Sequence, residues 1–288
     1  MVRRERLDKE LVRRELARSR QHAADLIAAG RVLVGKTVAT KGTTMVERSA
    51  AVVVTPPAGG AVEYVSRGGH KLAGALDRFQ QRGLDVAQKN CLDAGASTGG
   101  FTDVLLRRGA KHVVAADVGY GQLAWSLQQD ERVTVLDRTN IRALEPADLP
   151  WLPEIVVSDL SFISLKTVLP ALVRCAAKTC DLVLMVKPQF EVGRERLGSG
   201  GVVKSPQLRI ESVLSVAQYA TELGLGTKDV VASPLPGPSG NVEYFLWLTR
   251  GGQDLAPAAA KAANHSGILT EEDLSAAVER AVAEGPSR

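Results

Sequence analysis

The feature that most constrains the fold is an alternation of short apolar segments with longer amphipathic ones across residues 90–223. Aliphatic and β-branched residues fill the short segments, and the longer ones repeat apolar residues at helical spacing. Such alternation predicts an α/β fold, with a parallel sheet covered by helices on both faces. The predicted strands are residues 91–93, 112–117, 133–136, 155–158, 182–186, 227–232 and 242–248. The predicted helices are residues 69–82, 101–108, 122–129, 165–177 and 207–223.

The first 60 residues follow a different pattern, which predicts a separate small αβ module. Apolar residues at helical spacing from Leu7 to Leu16 predict one helix, and Ser19 caps a second that runs to Ala29. Short strands are expected at 31–34 and 51–54. We expect the module at 1–59, an interdomain linker at 60–66, the main domain at 67–251, and a flexible tail with a terminal helix at 252–288.

Positive charge is concentrated in this module. Residues 1–60 hold 12 Lys and Arg against 6 Asp and Glu, a net charge of +6, whereas the whole chain carries +4. A basic module on a near-neutral body predicts a polyanionic partner, and the planar guanidinium of arginine suits phosphate. A solvated basic helix face is the simpler alternative. The candidate phosphate contacts are Arg3, Arg4, Arg6, Arg13, Arg14, Arg18, Arg20 and Lys41.

Several classes of protein are disfavoured by the composition. No segment approaches the ~20 apolar residues that cross a bilayer, and no apolar signal-peptide core follows the basic N-terminus. Three cysteines make a disulfide framework unlikely to form, and no cluster of metal ligands is evident. We therefore expect a cytoplasmic, monomeric protein with no membrane partner and no metal.

A glycine-rich loop at residues 93–101 joins the first predicted strand of the main domain to its helix. It does not match the dinucleotide pattern G-x-G-x-x-G, and it lacks the lysine of a phosphate-binding P-loop. An acidic residue at its start suits a cationic ligand such as S-adenosylmethionine. Acids also end the next strands, where ligands of α/β sheets bind. The expected cofactor contacts are Asp93, Gly95, Ala96, Ser97, Thr98, Gly99, Gly100, Phe101, Asp117, Val118, Asp137 and Asp159.

Two other interpretations of this region stay open. Each acid alone could simply cap the helix that follows it. Residues 95–99 also match G-x-S-x-G, the nucleophile elbow of hydrolases, which needs an acid and a histidine downstream. Only His112 and His265 follow the loop in the sequence, and neither lies in a promising position.

Specific motifs add a resemblance to known proteins. Residues 6–12, 17–21 and 27–32 resemble the RNA-binding domain first described in the fourth small-subunit ribosomal protein, and the body resembles FtsJ-like RNA 2′-O-methyltransferases. Taken together, the chain is similar, up to Leu248, to the TlyA-like (haemolysin A) family of ribosomal RNA methyltransferases. The further motifs that carry this resemblance lie at residues 65–72, 115–123, 159–164, 187–191 and 239–243.

The resemblance implies a Rossmann-like class I methyltransferase sheet, parallel except for one strand. It implies S-adenosylmethionine as cofactor and methylation of cytidine ribose in 16S and 23S ribosomal RNA within both ribosomal subunits. It also implies a catalytic tetrad of Lys71, Asp159, Lys187 and Glu243. A ribose hydroxyl is a very weak acid, so a lysine beside it either stabilises the developing alkoxide or removes the proton. We expect Lys187 nearest the hydroxyl.

Phe162 is the remaining candidate, because it follows Asp159 closely in a chain with few aromatic residues. It either stacks on a displaced base or packs in the core. Two functions compete with the methyltransferase: an RNA-binding assembly factor without activity, and a membrane-active haemolysin.

Overall fold

The computed structural model describes residues 4–17, 19–56, 62–251 and 267–286. The chain divides into two compact units, Met1–Glu63 and Tyr64–Arg288. Each unit has its own hydrophobic core. Arg3, Arg18, residues 60 and 61 of the expected linker, and residues 252–266 and 287–288 of the expected tail lie outside the described residues.

The first unit combines two helices with two small antiparallel sheets. Leu7, Leu11, Ala23 and Leu26 form the centre of its core, which explains the helical spacing of apolar residues in this segment. Its elements are β1 (Arg4–Arg6), α1 (Leu7–Arg13), α2 (Arg20–Ala28), β2 (Val32–Val34), β3 (Thr37–Val38), β4 (Met45–Glu47) and β5 (Val52–Val54).

Two details of this unit differ from the sequence-based expectation. The first helix ends at Arg13 rather than continuing to Leu16, because Glu15 adopts a φ of +60° that a helix cannot accommodate. Strand β1 pairs antiparallel with β4, and neither strand was expected. The second helix agrees with expectation, since the Ser19 side chain caps it by accepting the N–H of His22.

The second unit is built on one seven-stranded sheet with the order β11-β12-β10-β9-β6-β7-β8. Strand β12 runs antiparallel to both of its neighbours, and the other pairs are parallel. The expected α/β sheet with one antiparallel strand is therefore confirmed. Its strands are β6 (Asn90–Ala94), β7 (His112–Ala116), β8 (Val133–Leu136), β9 (Ile155–Ser158), β10 (Cys180–Val186), β11 (Gly226–Ala232) and β12 (Tyr244–Arg250).

Helices cover both faces of this sheet. Successive residues of β10 alternate between the two faces: Leu182 and Leu184 belong to one apolar cluster, Val183 and Met185 to the other. Helices α6, α8 and α9 pack in the first cluster, and α3 and α4 in the second. The helices are α3 (Arg67–Gln80), α4 (Gly100–Arg107), α5 (Trp125–Gln128), α6 (Leu165–Cys175), α7 (Pro188–Glu191), α8 (Pro206–Glu222) and α9 (Glu271–Glu284).

Helices α5, α7 and α9 differ from expectation, and α7 was not predicted at all. Helix α5 has four residues instead of the eight expected at 122–129, and the Ala124 N–H that precedes it donates to the Thr98 carbonyl oxygen in the glycine loop. Helix α9 was expected within a flexible tail, yet Leu274 and Val278 are buried in the core formed with α8 and the sheet. The described end of the chain is thus an integral part of this unit.

Candidate active site

The polar residues singled out in the sequence meet at the carboxyl edge of the parallel strands. Ala94 pairs with both Ser158 and Ala116, and Ala116 pairs with Leu136. Asp117, Asp137 and Asp159 each follow one of these aligned strand ends. On the other side of the sheet, Val186 pairs with Tyr244. Their neighbours in the chain, Lys187 and Glu243, are therefore adjacent at the same edge.

Two ion pairs join the four residues of the expected tetrad. The Lys71 Nζ donates to Glu243 Oε2 at 2.6 Å, and the Lys187 Nζ lies 2.7 Å from Asp159 Oδ1. Lys71 reaches the edge from the second turn of α3, and Glu243 directly precedes β12. The cluster carries two positive and two negative formal charges, so it is balanced as a group.

Burial separates this cluster from ordinary surface charges. The side chains of Lys71 and Lys187 are 9% and 8% exposed, and that of Glu243 is fully buried. Buried ion pairs bring little net stability, because desolvation offsets their attraction. Three buried charges and the partly exposed Asp159 (24%) at the carboxyl edge of the sheet therefore favour a chemical role over a structural one.

Ser161 adds a contact that the sequence did not single out. Its Oγ accepts a hydrogen bond of 2.8 Å from the Lys187 Nζ, so this ammonium touches both Asp159 and Ser161. The residue lies within the quoted motif 159–164, and its position two residues after Asp159 was the available signal.

The next residue, Phe162, projects from the same loop into solvent. Its side chain is 91% exposed, and its φ is +64°, which is rare for an aromatic residue. The ring lies 5.4 Å from that of Phe190 in α7. An exposed ring on a strained backbone at a ligand edge favours base stacking over core packing.

Glu191, at the end of α7, also went unnoticed in the sequence. Its Oε2 accepts a hydrogen bond of 2.6 Å from Ser164 Oγ, and its Oε1 accepts one of 2.8 Å from the Leu165 N–H. Burial raises the pKa of this carboxyl group. The segment 187–191 and the loop 159–165 are therefore joined at both ends, by Lys187 and by Glu191.

The glycine loop makes a tight turn between β6 and α4. Gly95 and Gly99 have φ values of +92° and +94°. A side chain at Gly99 would meet Leu127 and Leu123, and one at Gly95 would meet Leu160. The glycines are thus needed for the backbone conformation and the close packing of the loop.

Acidic side chains hold the loop and its neighbour in place. Asp117 accepts the N–H of Ser97 at 2.8 Å and that of Gly119 at 2.7 Å. Asp137 accepts the N–H of Gly121 at 2.9 Å. Beside them, the apolar side chain of Val118 is 76% exposed, as expected for a residue that contacts a flat ligand ring.

Asp93 lies beneath this loop and is fully buried. Its Oδ2 accepts a hydrogen bond from Thr102 Oγ1 at 2.7 Å, and burial raises its pKa to about 7. Within the described residues, Asp93 Oδ1, Gln189 Oε1 and Glu243 Oε1 are buried acceptors without a hydrogen-bond partner. Such orphaned acceptors are rare in native proteins, and a ligand rich in donors would satisfy them.

The hydrolase interpretation does not agree with the geometry. Ser97 Oγ lies 3.4 Å from Gln122 Oε1 and has no histidine partner in the described ranges. His112 begins β7, so it lies at the amino edge of the sheet, where its ring contacts Thr134. His265 lies outside the described residues. In the same parts of the chain no group of His, Cys, Asp or Glu could hold a metal ion.

The candidate RNA-contacting arginines of the first unit are paired with acids. Arg6 and Arg20 both donate to Asp8, and Arg13 and Arg14 both donate to Glu10. Arg14 is the least exposed of the four, at 19%, and it also donates to the carbonyl oxygens of residues 48 and 50. This geometry favours a structural role for Arg14.

The other described candidates of this unit are more open. Arg4 is 63% exposed and lies 3.4 Å from Glu47, and Lys41 is exposed. Across the described parts of both units, no helix combines the length and the apolar character needed to cross a membrane.

Comparison with known families agrees with the sheet and with its polar edge. Residues 64–250 match the model of the FtsJ-like methyltransferase family. The chain belongs to this family. Residues 5–52 match the S4 domain. The chain is therefore an FtsJ-like methyltransferase that carries an S4 domain at its N-terminal side.

Individual relatives cover nearly all of the chain. It is 57% identical over 286 residues to a protein of Mycobacterium tuberculosis named 16S/23S rRNA (cytidine-2′-O)-methyltransferase TlyA, covering 99% of this chain and 100% of that protein. It is 42% identical to the putative rRNA methyltransferase YqxC of Bacillus subtilis, over 85% of each chain. A solved structure of a putative hemolysin from Streptococcus thermophilus superimposes with a TM-score of 0.72 at 34% identity, covering 98% of this chain and 96% of that one.

Proposed function

We propose that this chain is an S-adenosylmethionine-dependent methyltransferase that modifies cytidine 2′-hydroxyl groups in the RNA of both ribosomal subunits. The observation that carries the proposal is the buried cluster of Lys71, Asp159, Lys187 and Glu243 at the carboxyl edge of a methyltransferase sheet. The name of the Mycobacterium tuberculosis relative supports the substrate. Because ribosomal subunits are the substrate, we place the activity in the cytoplasm, and we expect a monomer.

The loop at residues 93–101 and the neighbouring acids are the proposed cofactor site. Asp117 and Asp137 would accept hydrogen bonds from ribose hydroxyls and the adenine amine, and Val118 would contact the adenine face. The orphaned Asp93 Oδ1 suits a cationic donor such as the ammonium group of the cofactor. S-adenosylmethionine bound there supplies an activated methyl group next to a positively charged sulfur.

The buried lysines act on the acceptor oxygen. Asp159 and Ser161 both contact the Lys187 Nζ, so the position of this ammonium group is fixed before RNA binds. A fixed ammonium in a dry site stabilises the negative charge that develops on the ribose oxygen. Lys71, which Glu243 holds in the same way, is the second cation. The remaining gain comes from orienting the hydroxyl for in-line attack on the methyl carbon.

Each unit has its own part in RNA binding. We propose residues 1–59 as the RNA-binding domain, because the S4 match and the positive charge coincide there. Arginines such as Arg4 and Arg13 would contact phosphate groups, which position the substrate without reading its sequence. Phe162 would stack on the displaced cytidine base.

Methyl transfer from labelled S-adenosylmethionine to unmethylated 30S and 50S subunits tests this function. The wild-type protein should yield 2′-O-methylcytidine, identified after nuclease digestion. Lys187→Ala should lower the rate by about 100-fold or more and leave cofactor binding unchanged in calorimetry. Lys111→Ala, which removes an exposed lysine from the opposite edge, is the matched control. Base methylation instead of ribose methylation, or no transfer to either subunit, would contradict the proposal.

A further inference from the structure

The first unit contains two acidic side chains that are buried inside a strongly basic module. Asp8 and Glu10 are 6% and 0% exposed, and both lie on α1. Acids on a surface that binds a polyanion would repel it, so most RNA-binding surfaces exclude them. Here both carboxylates are buried, while three of the four arginines that they contact are 38–57% exposed: Arg6, Arg13 and Arg20.

The contacts of Asp8 are the more informative of the two. Its Oδ1 accepts from Arg6 Nε at 3.0 Å and from the Lys9 N–H at 2.8 Å. Its Oδ2 accepts from Arg6 Nη2 at 2.8 Å and from Arg20 Nη2 at 3.0 Å. One carboxylate oxygen therefore joins the guanidinium groups of Arg6, which directly precedes α1, and Arg20, which begins α2.

The two arginines remain available to a ligand despite these bonds. Their side chains are 38% and 57% exposed, whereas that of Asp8 is 9% exposed. A guanidinium has five N–H donors, so each keeps donors that point away from Asp8. The hydrogen bond from Arg6, followed by that from Arg20, holds the pKa of Asp8 well below its usual range, so the carboxylate stays charged at physiological pH.

We propose that Asp8 is a positioning residue that holds Arg6 and Arg20 as a fixed pair of phosphate contacts for folded ribosomal RNA. An unrestrained arginine loses rotamer freedom when it binds, and this loss weakens binding. The contacts with Asp8 restrict the rotamers of both arginines when the protein folds. The paired guanidinium groups are therefore already ordered when RNA binds. The proposal rests on the proposed function, because it assumes that the module binds ribosomal RNA.

A positioning role for Asp8 predicts the opposite effect on RNA binding from the one that charge alone predicts. Asp8→Asn removes a negative charge from a module that binds a polyanion, so charge alone would strengthen RNA binding. If Asp8 positions the arginines, the same substitution weakens binding to 30S or 50S subunits by about fivefold to tenfold. It should raise the KM for subunits and leave kcat at saturating subunit concentration unchanged.

Asp25→Asn is the matched control, since it makes the same change of charge on α2. Asp25 accepts a hydrogen bond from Gln21 and contacts no arginine in the described residues. This variant should bind subunits as tightly as the wild-type protein or slightly more tightly. A filter-binding titration at fixed ionic strength compares the three proteins directly.

A second comparison, made in a protein that lacks both arginines, separates a positioning role from a folding defect. Asp8→Asn is combined with Arg6→Ala and Arg20→Ala, and the loss caused by Asp8→Asn should disappear when both arginines are absent. A loss that persists in that background would overturn the proposal, because Asp8 would then act through the fold and not through the arginines. Unchanged or tighter binding of Asp8→Asn alone would overturn it as well.

The same titration separates the two levels of inference. If the wild-type protein binds neither subunit, the proposed function fails, and the role of Asp8 fails with it. If the wild-type protein binds and Asp8→Asn binds equally well, only the role of Asp8 is overturned.

Discussion

Asp93 is a fully buried carboxyl group whose electrostatic state depends on pH near neutrality. Burial raises its pKa to about 7 from the ordinary value of 3.8, and nearby Asp159 and Asp117 act in the same direction. A carboxyl group with a raised folded-state pKa binds more protons in the folded than in the unfolded state. Its contribution to stability is fully present below pH 4 and is lost as the pH rises through about 7.

We therefore predict that Asp93→Asn changes the pH dependence of unfolding. Relative to the wild-type protein, the variant should gain stability between pH 5 and pH 8, by an amount on the order of 2–4 kcal/mol. Urea unfolding followed by tryptophan fluorescence measures this, because all three tryptophans lie in the second unit. A difference between the two proteins that stays constant across this pH range would show that Asp93 does not titrate there.

Phe162 offers a prediction that separates binding of RNA from folding. Its ring is 91% exposed, so Phe162→Ala should change the free energy of unfolding by less than about 0.5 kcal/mol. Loss of stacking on a base should nevertheless lower methyl transfer to subunits about tenfold or more. Phe162→Trp should restore most of the activity. Equal loss in both variants would show that the aromatic ring is not what the substrate contacts.

At the scale of elements, the short segment 187–191 and the loop 159–165 act as one assembly. Lys187 contacts Asp159 and Ser161 at one end, and Glu191 contacts Ser164 and Leu165 at the other. Phe162 and Phe190 lie between these two connections. The position of the exposed ring and that of Lys187 are therefore coupled through Glu191.

Glu191→Ala should consequently lower kcat about tenfold, since it leaves the Leu165 N–H and the Ser164 hydroxyl without their acceptor. Glu191→Gln should retain most of the activity, because an amide can accept from one group and donate to the other. Steady-state kinetics with 50S subunits, together with cofactor binding by calorimetry, measures both variants. If Glu191→Gln were as damaging as Glu191→Ala, the charge of Glu191 rather than its hydrogen bonds would be required.

The elements that could be predicted from the sequence are those whose hydrophobic pattern follows from their burial. Strands β8 and β9 agree with expectation to the residue, because β-branched residues fill them. Strand β1 was missed, because its sequence Arg-Glu-Arg has no apolar alternation and is a strand only through its pairing with β4. Helix α5 was overestimated, because the Ala124 N–H donates to the Thr98 carbonyl oxygen in the glycine loop, a contact that no local pattern encodes.

The same limit applies to the site. The family resemblance implied the four tetrad residues, but the pairing of Lys71 with Glu243 spans 172 positions of the chain. No local pattern encodes such a contact. Ser161 and Glu191 were overlooked for a related reason, since their importance arises from what they contact and not from their own chemistry.

At the scale of the whole molecule, charge and chemistry are divided between the two units. Residues 1–60 carry a net charge of +6 within a chain of +4, and the buried tetrad of the second unit is balanced. We therefore propose that long-range attraction to RNA arises in the first unit and that the reaction takes place in the second. Ionic strength should affect these two functions differently.

We predict that subunit binding weakens steeply with salt, whereas cofactor binding changes little. Each phosphate contact contributes roughly 0.7–0.9 to the slope of log K against log salt concentration. Replacing Arg4 and Lys41 by Gln should lower that slope by about 1.4–1.8 and leave both kcat at saturation and the cofactor dissociation constant unchanged. Lys111→Gln, in the second unit, should leave the slope as it is. A slope unaffected by the loss of both cations would mean that the exposed charge of the first unit does not contact RNA phosphates, and that capture of the subunit depends on another surface.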